Sequence, residues 1–316
     1  MKAVLYDRYG TPDVLYVSRV PRPAPARGEV LVRVHAFSVN GGELAARAGR
    51  VRLLTGRKFP QRTGLDFTGE VVALGADATG VALGDRVWGV LPRTSGFGSA
   101  AEYVAVPAER LGSVPGALDL VDAAALPVAT TAITALRDKA GLRAGERLLV
   151  RGAAGGVGNA AVQLGRAYGA EVTALARAAN LGFVRDLGAH EALDHRAVSP
   201  ANLGRFDVVL DTAGTDLRTF RHLLNSGGRM VTIAFDQNRP AASLAYIAAS
   251  AVRGRGRVRF FSGNPRTAAF DDLARHVTEG RLRPAVDTVF PLEETAEAHR
   301  ALEAGGVRGK YVVRVV

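Results

Sequence analysis

The feature that most constrains the fold is a turn of small residues between a strand-like segment and a helical one. Arg147–Gly152 is apolar at its centre, Gly156–Tyr168 has the spacing of an amphipathic helix, and alanine and glycine fill the turn between them. Such a turn lets a phosphate approach the backbone and bind at the N-terminus of the helix. The spacing Ala153-x-Gly155-x-x-Gly158 is a variant of the dinucleotide-binding fingerprint, with alanine in place of its first glycine.

This turn is therefore a candidate site for a dinucleotide pyrophosphate. Its first glycines would allow the phosphates to approach closely, and Gly158 would allow the helix to pack tightly on the strand. A tight turn that binds nothing is the alternative. The residues that we predict to contact the cofactor here are Ala154, Gly155, Gly156, Val157 and Gly158.

The segments around this turn alternate between strand-like and helical patterns. Further strand-like runs are Glu171–Ala176, Phe206–Asp211, Gly228–Ala234 and Arg257–Ser262, and helical runs are Asn180–Leu187 and Leu217–Leu224. Strands separated by helices predict βαβ units and a parallel sheet. We therefore predict an α/β fold in which residues 120–262 form a Rossmann domain, a doubly wound parallel sheet that binds the cofactor.

The first third of the chain has a different pattern. Val30–Ala36, Gly69–Gly75 and Asp85–Val90 are short apolar runs separated by glycine and proline, which predicts a β-rich, barrel-like domain. The C-terminal run Tyr311–Val316 is expected to pair back into that domain. We assign residues 1–119 and 263–316 to this β-rich domain.

Composition restricts the partners and the chemistry. The 316 residues are 47% hydrophobic and 22% charged, as in soluble proteins, and the net charge of +11 comes mostly from scattered arginines. No basic run with interleaved aromatics occurs, so we do not expect a nucleic-acid partner. The chain contains no cysteine, which excludes disulfides, thiolate metal sites and a cysteine nucleophile.

We expect no membrane span and a cytoplasmic location. The longest apolar segment, residues 118–136, contains Asp119, Asp122 and Pro127, and Asp7 interrupts any N-terminal signal segment.

The end of the second strand predicts which dinucleotide binds. Sites that prefer NAD have an acidic residue there, which binds the ribose 2′-hydroxyl. Here the strand ends at Ala176 and Arg177 follows, so no acid is present and a cation can neutralise a 2′-phosphate. NADPH is therefore the predicted cofactor. The alternative is that Arg177 is one solvated arginine among many.

With these features in place, the chain resembles the zinc-free quinone oxidoreductase branch of the medium-chain dehydrogenase/reductase superfamily. The resemblance covers nearly the whole length. It implies a GroES-like split-barrel catalytic domain, a Rossmann domain and a homodimer. The segments that carry it are Gly64–Val71, Gly84–Trp88, Ala101–Tyr103, Ala153–Gly158, Leu187–Ala189, Phe206–Gly214, Gly227–Arg229 and Gly309–Lys310.

The resemblance also implies chemistry without a metal. The zinc enzymes of the superfamily use a cysteine and a histidine where this chain has Asn40 and Leu65, and neither residue is suited to hold zinc here. Reduction of an activated C=C bond or a quinone needs only a hydride, a donor to the enolate oxygen and a proton. The alternatives are a metal-free carbonyl reductase or alcohol dehydrogenase, and an NADPH- or nucleic-acid-binding protein of the same fold without catalysis.

Candidate site residues in the first domain follow from the family loop after the third strand. The loop reads Asn40-Gly41-Gly42-Glu43, followed by Arg47 and Gly49. We expect Asn40 to contact the nicotinamide or the substrate. Glu43 and Arg47 are expected either to pair and shape the loop or to act directly, with Arg47 catalytic. Some relatives have tyrosines where this chain has Ala45 and Val51, which predicts an altered, enlarged pocket.

Further candidates lie near the predicted domain boundaries. Thr131 matches a threonine that the family places beside the nicotinamide, and Thr130 is the alternative because the preceding segment is one residue shorter than usual. Phe261, Gly263 and Asn264 are expected to line the nicotinamide pocket. Lys310 is expected to reach the cofactor phosphates or else to be a surface lysine. The edge strand Val258–Phe261 is expected to pair with a second copy in the homodimer. The six histidines have no metal-binding spacing.

Overall fold

The computed structural model describes residues 1–56, 58–92, 96–236, 239–250 and 256–316. It divides the chain into two units. Unit 1 consists of Met1–Thr130 and Asn264–Val316, and unit 2 consists of Thr131–Gly263. These divisions fall after residues 130 and 263, whereas the sequence places them after residues 119 and 262.

Both units combine strands and helices. In the described residues the strands are β1 (Lys2–Tyr6), β2 (Tyr16–Arg19), β3 (Glu29–Ser38), β4 (Gln61–Arg62), β5 (Asp66–Leu74), β6 (Arg86–Val90), β7 (Tyr103–Pro107), β8 (Leu111–Ser113), β9 (Arg147–Arg151), β10 (Glu171–Ala176), β11 (Glu191–Asp194), β12 (Phe206–Asp211), β13 (Leu224–Thr232), β14 (Val258–Phe260), β15 (Val286–Pro291) and β16 (Lys310–Arg314). The helices are α1 (Gly41–Arg47), α2 (Arg52–Thr55), α3 (Leu120–Ala123), α4 (Ala129–Ile133), α5 (Gly156–Ala167), α6 (Leu181–Asp186), α7 (Leu217–Arg221), α8 (Pro240–Ser250), α9 (Thr267–Thr278) and α10 (Thr295–Ala304), and Thr134–Ala140 is π-helical.

Unit 2 is built on a parallel sheet of six strands in the order β11-β10-β9-β12-β13-β14. The central strands are apolar and inaccessible on both faces, as Leu149 in β9 and Val209 in β12 show. This confirms the predicted doubly wound sheet. The strand order reverses between β9 and β12, and ligands of such sheets bind at the carboxyl ends of the strands at this switch point.

Unit 1 is rich in antiparallel strands. A seven-stranded sheet has the order β15-β16-β3-β5-β6-β8, with β7 also paired to β3, and β2-β1-β4 form a second sheet. Alternate valines of β3, such as Val30 and Val32, are fully buried in the core of this unit. β16 pairs with β3, which confirms that the C-terminal strand returns to the first domain.

The edge of the six-stranded sheet and the length of the helices bear on the sequence predictions. β14 pairs with β13 and ends the six-stranded sheet, so it is an edge strand in the part of the chain that the structure describes. Among the described helices, none is both long enough and apolar enough to cross a bilayer.

Candidate functional site

The glycine-rich turn has the geometry of an anion site. A Cβ on Gly158 would lie 2.1 Å from the carbonyl oxygen of Gly152, so only glycine lets α5 begin this close to the end of β9. Gly152 itself has φ of +70°, a conformation that glycine adopts without strain. The close helix–strand packing expected at Gly158 is therefore present.

The first turn of α5 presents backbone donors. The first intrahelical bond is donated by Asn159 N–H to the oxygen of Gly155, at 2.8 Å. The N–H groups of residues 156–158 precede this bond, and they lie at the positive end of the helix dipole. These features fit the pyrophosphate of a dinucleotide.

The end of β10 lies beside the side chains of Arg177 and His195. β10 ends at Ala176, and half-buried Arg177 follows. β11 lies alongside, and His195, directly after it, places its backbone N–H 3.0 Å and its Nδ1 2.9 Å from the Ala176 carbonyl oxygen. The carboxylate of Asp194 accepts a hydrogen bond from the backbone N–H of Arg196. His195 directly follows β11, the third strand of this sheet in chain order, and that place is the signal by which the sequence could have indicated it.

The two candidate threonines differ in what their hydroxyls do. Thr130 is buried and donates to the carbonyl oxygen of Pro127 at 2.7 Å. Thr131 is half-buried, and its Oγ1 lies 2.8 Å from where a Cβ on Gly263 would be. The hydroxyl of Thr131 makes no hydrogen bond to another residue that the structure describes. Thr131 is therefore the one of the pair with a donor available to a ligand.

The residues expected after the last Rossmann strand fall in both units. Phe261 is half-buried in unit 2, and the Nζ of Lys139 lies 6.0 Å from the centre of its ring. Asn264 begins the second part of unit 1, where its Oδ1 accepts a hydrogen bond from Nη1 of Arg110 at 2.7 Å. The side-chain oxygen of Asn264 is thus engaged inside unit 1.

In unit 1, Asn40 is the centre of a polar network. Its Oδ1 accepts from Nζ of Lys310 at 2.7 Å. Its Nδ2 lies 3.0 Å from Oε1 of Glu43 and 3.0 Å from Oδ2 of Asp66. Both polar atoms of the amide are therefore engaged inside unit 1, and any contact of Asn40 with nicotinamide or substrate would compete with these bonds.

The network contains two carboxyls and one ammonium, all buried. Asp66 accepts bonds from the backbone N–H and the hydroxyl of Ser38 at 2.8 and 2.6 Å. Burial, and then the neighbouring Asp66, raise the pKa of Glu43 to about 8. Burial lowers the pKa of Lys310, against the attraction of Asp66 and Glu43. At neutral pH we assign Glu43 as uncharged, whereas the Nζ of Lys310 is bonded to Asn40 and to the carbonyl oxygen of Val39.

Two expectations about this loop were wrong. Glu43 and Arg47 do not pair, because Arg47 donates to the carbonyl oxygen of Gly10 at 2.5 Å and forms an ion pair with Glu303. Lys310 is not a surface lysine: it is 4% exposed, and its Nζ donates to the oxygen of Val39 at 2.7 Å as well as to Asn40. A contact of Lys310 with cofactor phosphates would have to break these bonds.

His299 is a further buried group that the sequence did not indicate. It is fully buried, both ring nitrogens are without a hydrogen-bond partner among the residues that the structure describes, and its Nε2 lies 4.0 Å from Oε2 of Glu43. Burial, and then the positive charge of Arg47, lower its pKa to about 3. His299 is therefore neutral at physiological pH and does not compensate a charge on Glu43.

Aromatic side chains reach this loop from other elements. The ring of Tyr9 packs against Gly49: a Cβ added to Gly49 would lie 2.9 Å from Cγ of Tyr9. The centre of the Tyr9 ring is 5.1 Å from the centre of the Phe59 ring. Ala45, one of the positions where relatives have tyrosine, is buried at 4% exposure, whereas Val51 is half-buried.

In the described ranges no cluster of three or more histidine, cysteine, aspartate or glutamate side chains could hold a metal ion. Leu65, at one position where the zinc enzymes have a ligand, is half-buried and offers no ligating atom.

Comparisons with known proteins identify the family. A family model described as alcohol dehydrogenase GroES-like domain matches residues 26–116, and one described as zinc-binding dehydrogenase matches residues 187–313. The mitochondrial NAD(P)H oxidoreductase RTN4IP1 of Danio rerio is 32% identical over 358 residues, which cover 100% of this chain and 92% of that protein. The chain belongs to the medium-chain dehydrogenase/reductase superfamily, in its quinone oxidoreductase branch.

Two further comparisons agree with this assignment. The structure of the quinone oxidoreductase from Coxiella burnetii superposes with a TM-score of 0.91 at 30% identity, covering 100% of this chain and 99% of that one. The 2-methylene-furan-3-one reductase of Solanum lycopersicum is 30% identical over 327 residues, covering 100% of this chain and 79% of that protein. The protein is therefore an oxidoreductase with an NAD(P)-binding Rossmann domain and a GroES-like domain.

Proposed function

We propose that this protein is an NADPH-dependent, zinc-independent reductase that transfers hydride to an activated C=C bond or to a quinone. The observation that carries the choice of cofactor is the end of β10. Ala176 occupies the position at which NAD sites have an acidic residue that binds the ribose 2′-hydroxyl. Arg177 follows it, and His195 lies against the Ala176 carbonyl oxygen. The guanidinium of Arg177 fits a 2′-phosphate, which NADPH carries and NADH lacks.

The same unit supplies the remaining cofactor contacts. The N–H groups of residues 156–158, which precede the first intrahelical bond of α5, would bind the pyrophosphate, as at other helix N-termini. When bound, the reduced nicotinamide supplies the hydride. The hydroxyl of Thr131 is the donor that we assign to the nicotinamide carboxamide or to the oxygen on which charge develops during reduction.

The proposal of zinc independence rests on the sequence. The chain has no cysteine, and the two positions that bind the catalytic zinc in the zinc enzymes appear here as Asn40 and Leu65. The structure adds that the Asn40 amide is bonded to Lys310, Glu43 and Asp66. Stabilisation of the developing enolate therefore falls to hydrogen-bond donors of the chain.

The substrate class follows from the chemistry and from the relatives. One relative is named as a quinone oxidoreductase, and another is named for a 2-methylene-furan-3-one, in which a C=C bond is conjugated with a ketone. In both compound classes a C=C bond is conjugated with a carbonyl group, which delocalises the negative charge that hydride addition leaves. A metal-free carbonyl reductase is the second candidate, because the same cofactor site would serve it.

The experiment that tests the function is steady-state oxidation of NADPH across a panel of enones, enoyl thioesters, quinones and simple aldehydes. We expect turnover of at least one conjugated enone or quinone, and none of simple aldehydes. Turnover confined to simple aldehydes or ketones would replace the proposal with a carbonyl reductase. Tight NADPH binding without turnover of any compound would favour a binding protein.

A further inference from the structure

A buried ion pair lies where the strand order of unit 2 reverses. Arg151 is the last residue of β9 and Asp211 the last of β12, and the two are partners in the register of the sheet. Nη1 of Arg151 lies 2.6 Å from Oδ1 of Asp211, with side chains 9% and 0% exposed. The sequence motifs give this pair no role, and the contacts assigned above to the cofactor do not include it.

Each partner ties down a different segment at this edge of the sheet. Nη1 of Arg151 also donates to the carbonyl oxygen of Thr215 at 2.6 Å, and its guanidinium lies over the ring of Phe220, 3.6 Å from the ring centre. Oδ2 of Asp211 accepts from the hydroxyl of Thr232, at the end of β13, at 2.8 Å. The carboxyl ends of three adjacent strands and the segment leading into α7 are thereby linked.

The network continues into the turn that binds the pyrophosphate. Arg151 is directly followed by Gly152, the first residue of that turn. The hydroxyl of Thr212 donates to the carbonyl oxygen of Arg151 at 2.7 Å, and it lies 2.3 Å from where a Cβ on Gly152 would be. A second segment, the residues after β12, is therefore packed against the start of the turn. The positions of the N–H groups in α5 depend on where β9 ends.

We propose that Arg151 and Asp211 are positioning residues for the cofactor: they fix the carboxyl ends of β9 and β12 so that the turn at 152–158 is held in its binding geometry before the cofactor arrives. This rests on the proposed function. Preorganisation of this kind raises affinity by removing the cost of ordering the turn on binding. Because neither residue is assigned to substrate or nicotinamide, the effect falls on cofactor binding and not on the reaction.

The test compares Arg151→Met with a matched control on the same sheet. Arg229 of β13 forms two 2.8 Å bonds to Glu146, which directly precedes β9 at its amino end, and both side chains are 20% exposed. Arg229→Met removes the same kind of ion pair far from the carboxyl ends of the strands. The measurements are the KM and Kd for NADPH, kcat at saturating NADPH and the thermal midpoint of both variants.

For Arg151→Met we expect the KM and Kd for NADPH to rise about tenfold while kcat at saturating NADPH stays within about twofold of the parent. For Arg229→Met we expect a lower thermal midpoint and a KM for NADPH within about twofold of the parent. If Arg151→Met does not fold, Arg151→Lys decides: it keeps the charge but cannot reproduce the guanidinium fork, and we expect an increase of about threefold in KM.

Two results overturn the inference. The first is an unchanged KM for NADPH in the folded Arg151 variant. The second is an equal rise in KM in Arg229→Met, which would show that any loss of stability in the sheet weakens cofactor binding. If the parent protein itself binds no NADPH, the proposed function fails. Neither of the two results above implies that failure.

Discussion

Replacing Glu43 with glutamine should remove a pH dependence from the stability of unit 1. Glu43 is 1% exposed, and burial and Asp66 raise its pKa from an ordinary 4.5 to about 8. Between pH 4.5 and about pH 8, Glu43 is protonated in the folded chain and ionised in the unfolded chain. Stability therefore falls as the pH rises through this range, by roughly 1 kcal/mol for each pH unit. Glutamine has the shape of the protonated acid and cannot ionise.

The assay is urea unfolding at pH 6, 7 and 8, followed by tryptophan fluorescence. The chain has one tryptophan, Trp88, which is fully buried in unit 1, so the signal reports the unit that contains Glu43. The quantity compared is the difference in unfolding free energy between the parent and Glu43→Gln at each pH. Lys310 is present in both proteins, so its own titration largely cancels in this difference.

The parent should lose stability relative to Glu43→Gln at each step up in pH. The control is Glu70→Gln on β5, which removes a carboxylate that forms a 2.7 Å ion pair with Arg33 and is 34% exposed. This control should keep the pH dependence of the parent. A constant difference between the parent and Glu43→Gln from pH 6 to 8 would show that Glu43 is ionised in the folded protein, and the charge assignment of the network would be wrong.

Three further predictions concern the reaction and the assembly. Thr131→Val should lower kcat with the best substrate at least tenfold, whereas Thr130→Val should affect stability more than kcat; equal kcat values for the two would remove Thr131 from the site. Sedimentation at micromolar concentration should show a dimer joined through β14, and a monomer would refute this. Activity should survive exhaustive chelation, and finding stoichiometric zinc whose removal abolishes activity would contradict the proposed chemistry.

The sequence predicts unit 2 well because its signals are local. β10 and β12 have the predicted bounds, Glu171–Ala176 and Phe206–Asp211, and α5 begins at the predicted Gly156. Two local signals carry these predictions: apolar runs between helical segments, and a glycine where a helix packs closely on a strand. Each signal depends on neighbours within a few residues. The strand end that carries the cofactor prediction is therefore placed by the sequence alone.

The polar network of unit 1 could not be predicted in the same way. Asn40 and Lys310 are 270 positions apart, and only the pairing of β16 with β3 brings them together. The i,i+4 spacing of Glu43 and Arg47 on α1 favours an ion pair, but partners distant in sequence prevail: Glu303 and the Gly10 carbonyl for Arg47. Burial, which sets the protonation of Glu43, follows from the packed fold and has no local signal.

Titration of the protein with NADPH and with NADH under identical conditions, followed by nicotinamide fluorescence, tests the cofactor assignment most directly. NADPH should bind about ten- to a hundredfold more tightly, because a guanidinium–phosphate contact contributes roughly 1.5–3 kcal/mol. Arg177→Ala should lose most of this preference by weakening NADPH alone. Arg166→Ala, the same change of charge in the last turn of α5, should keep the preference. Equal or tighter binding of NADH by the parent, or unchanged NADPH affinity in Arg177→Ala, would contradict the assignment of the end of β10 as a 2′-phosphate site.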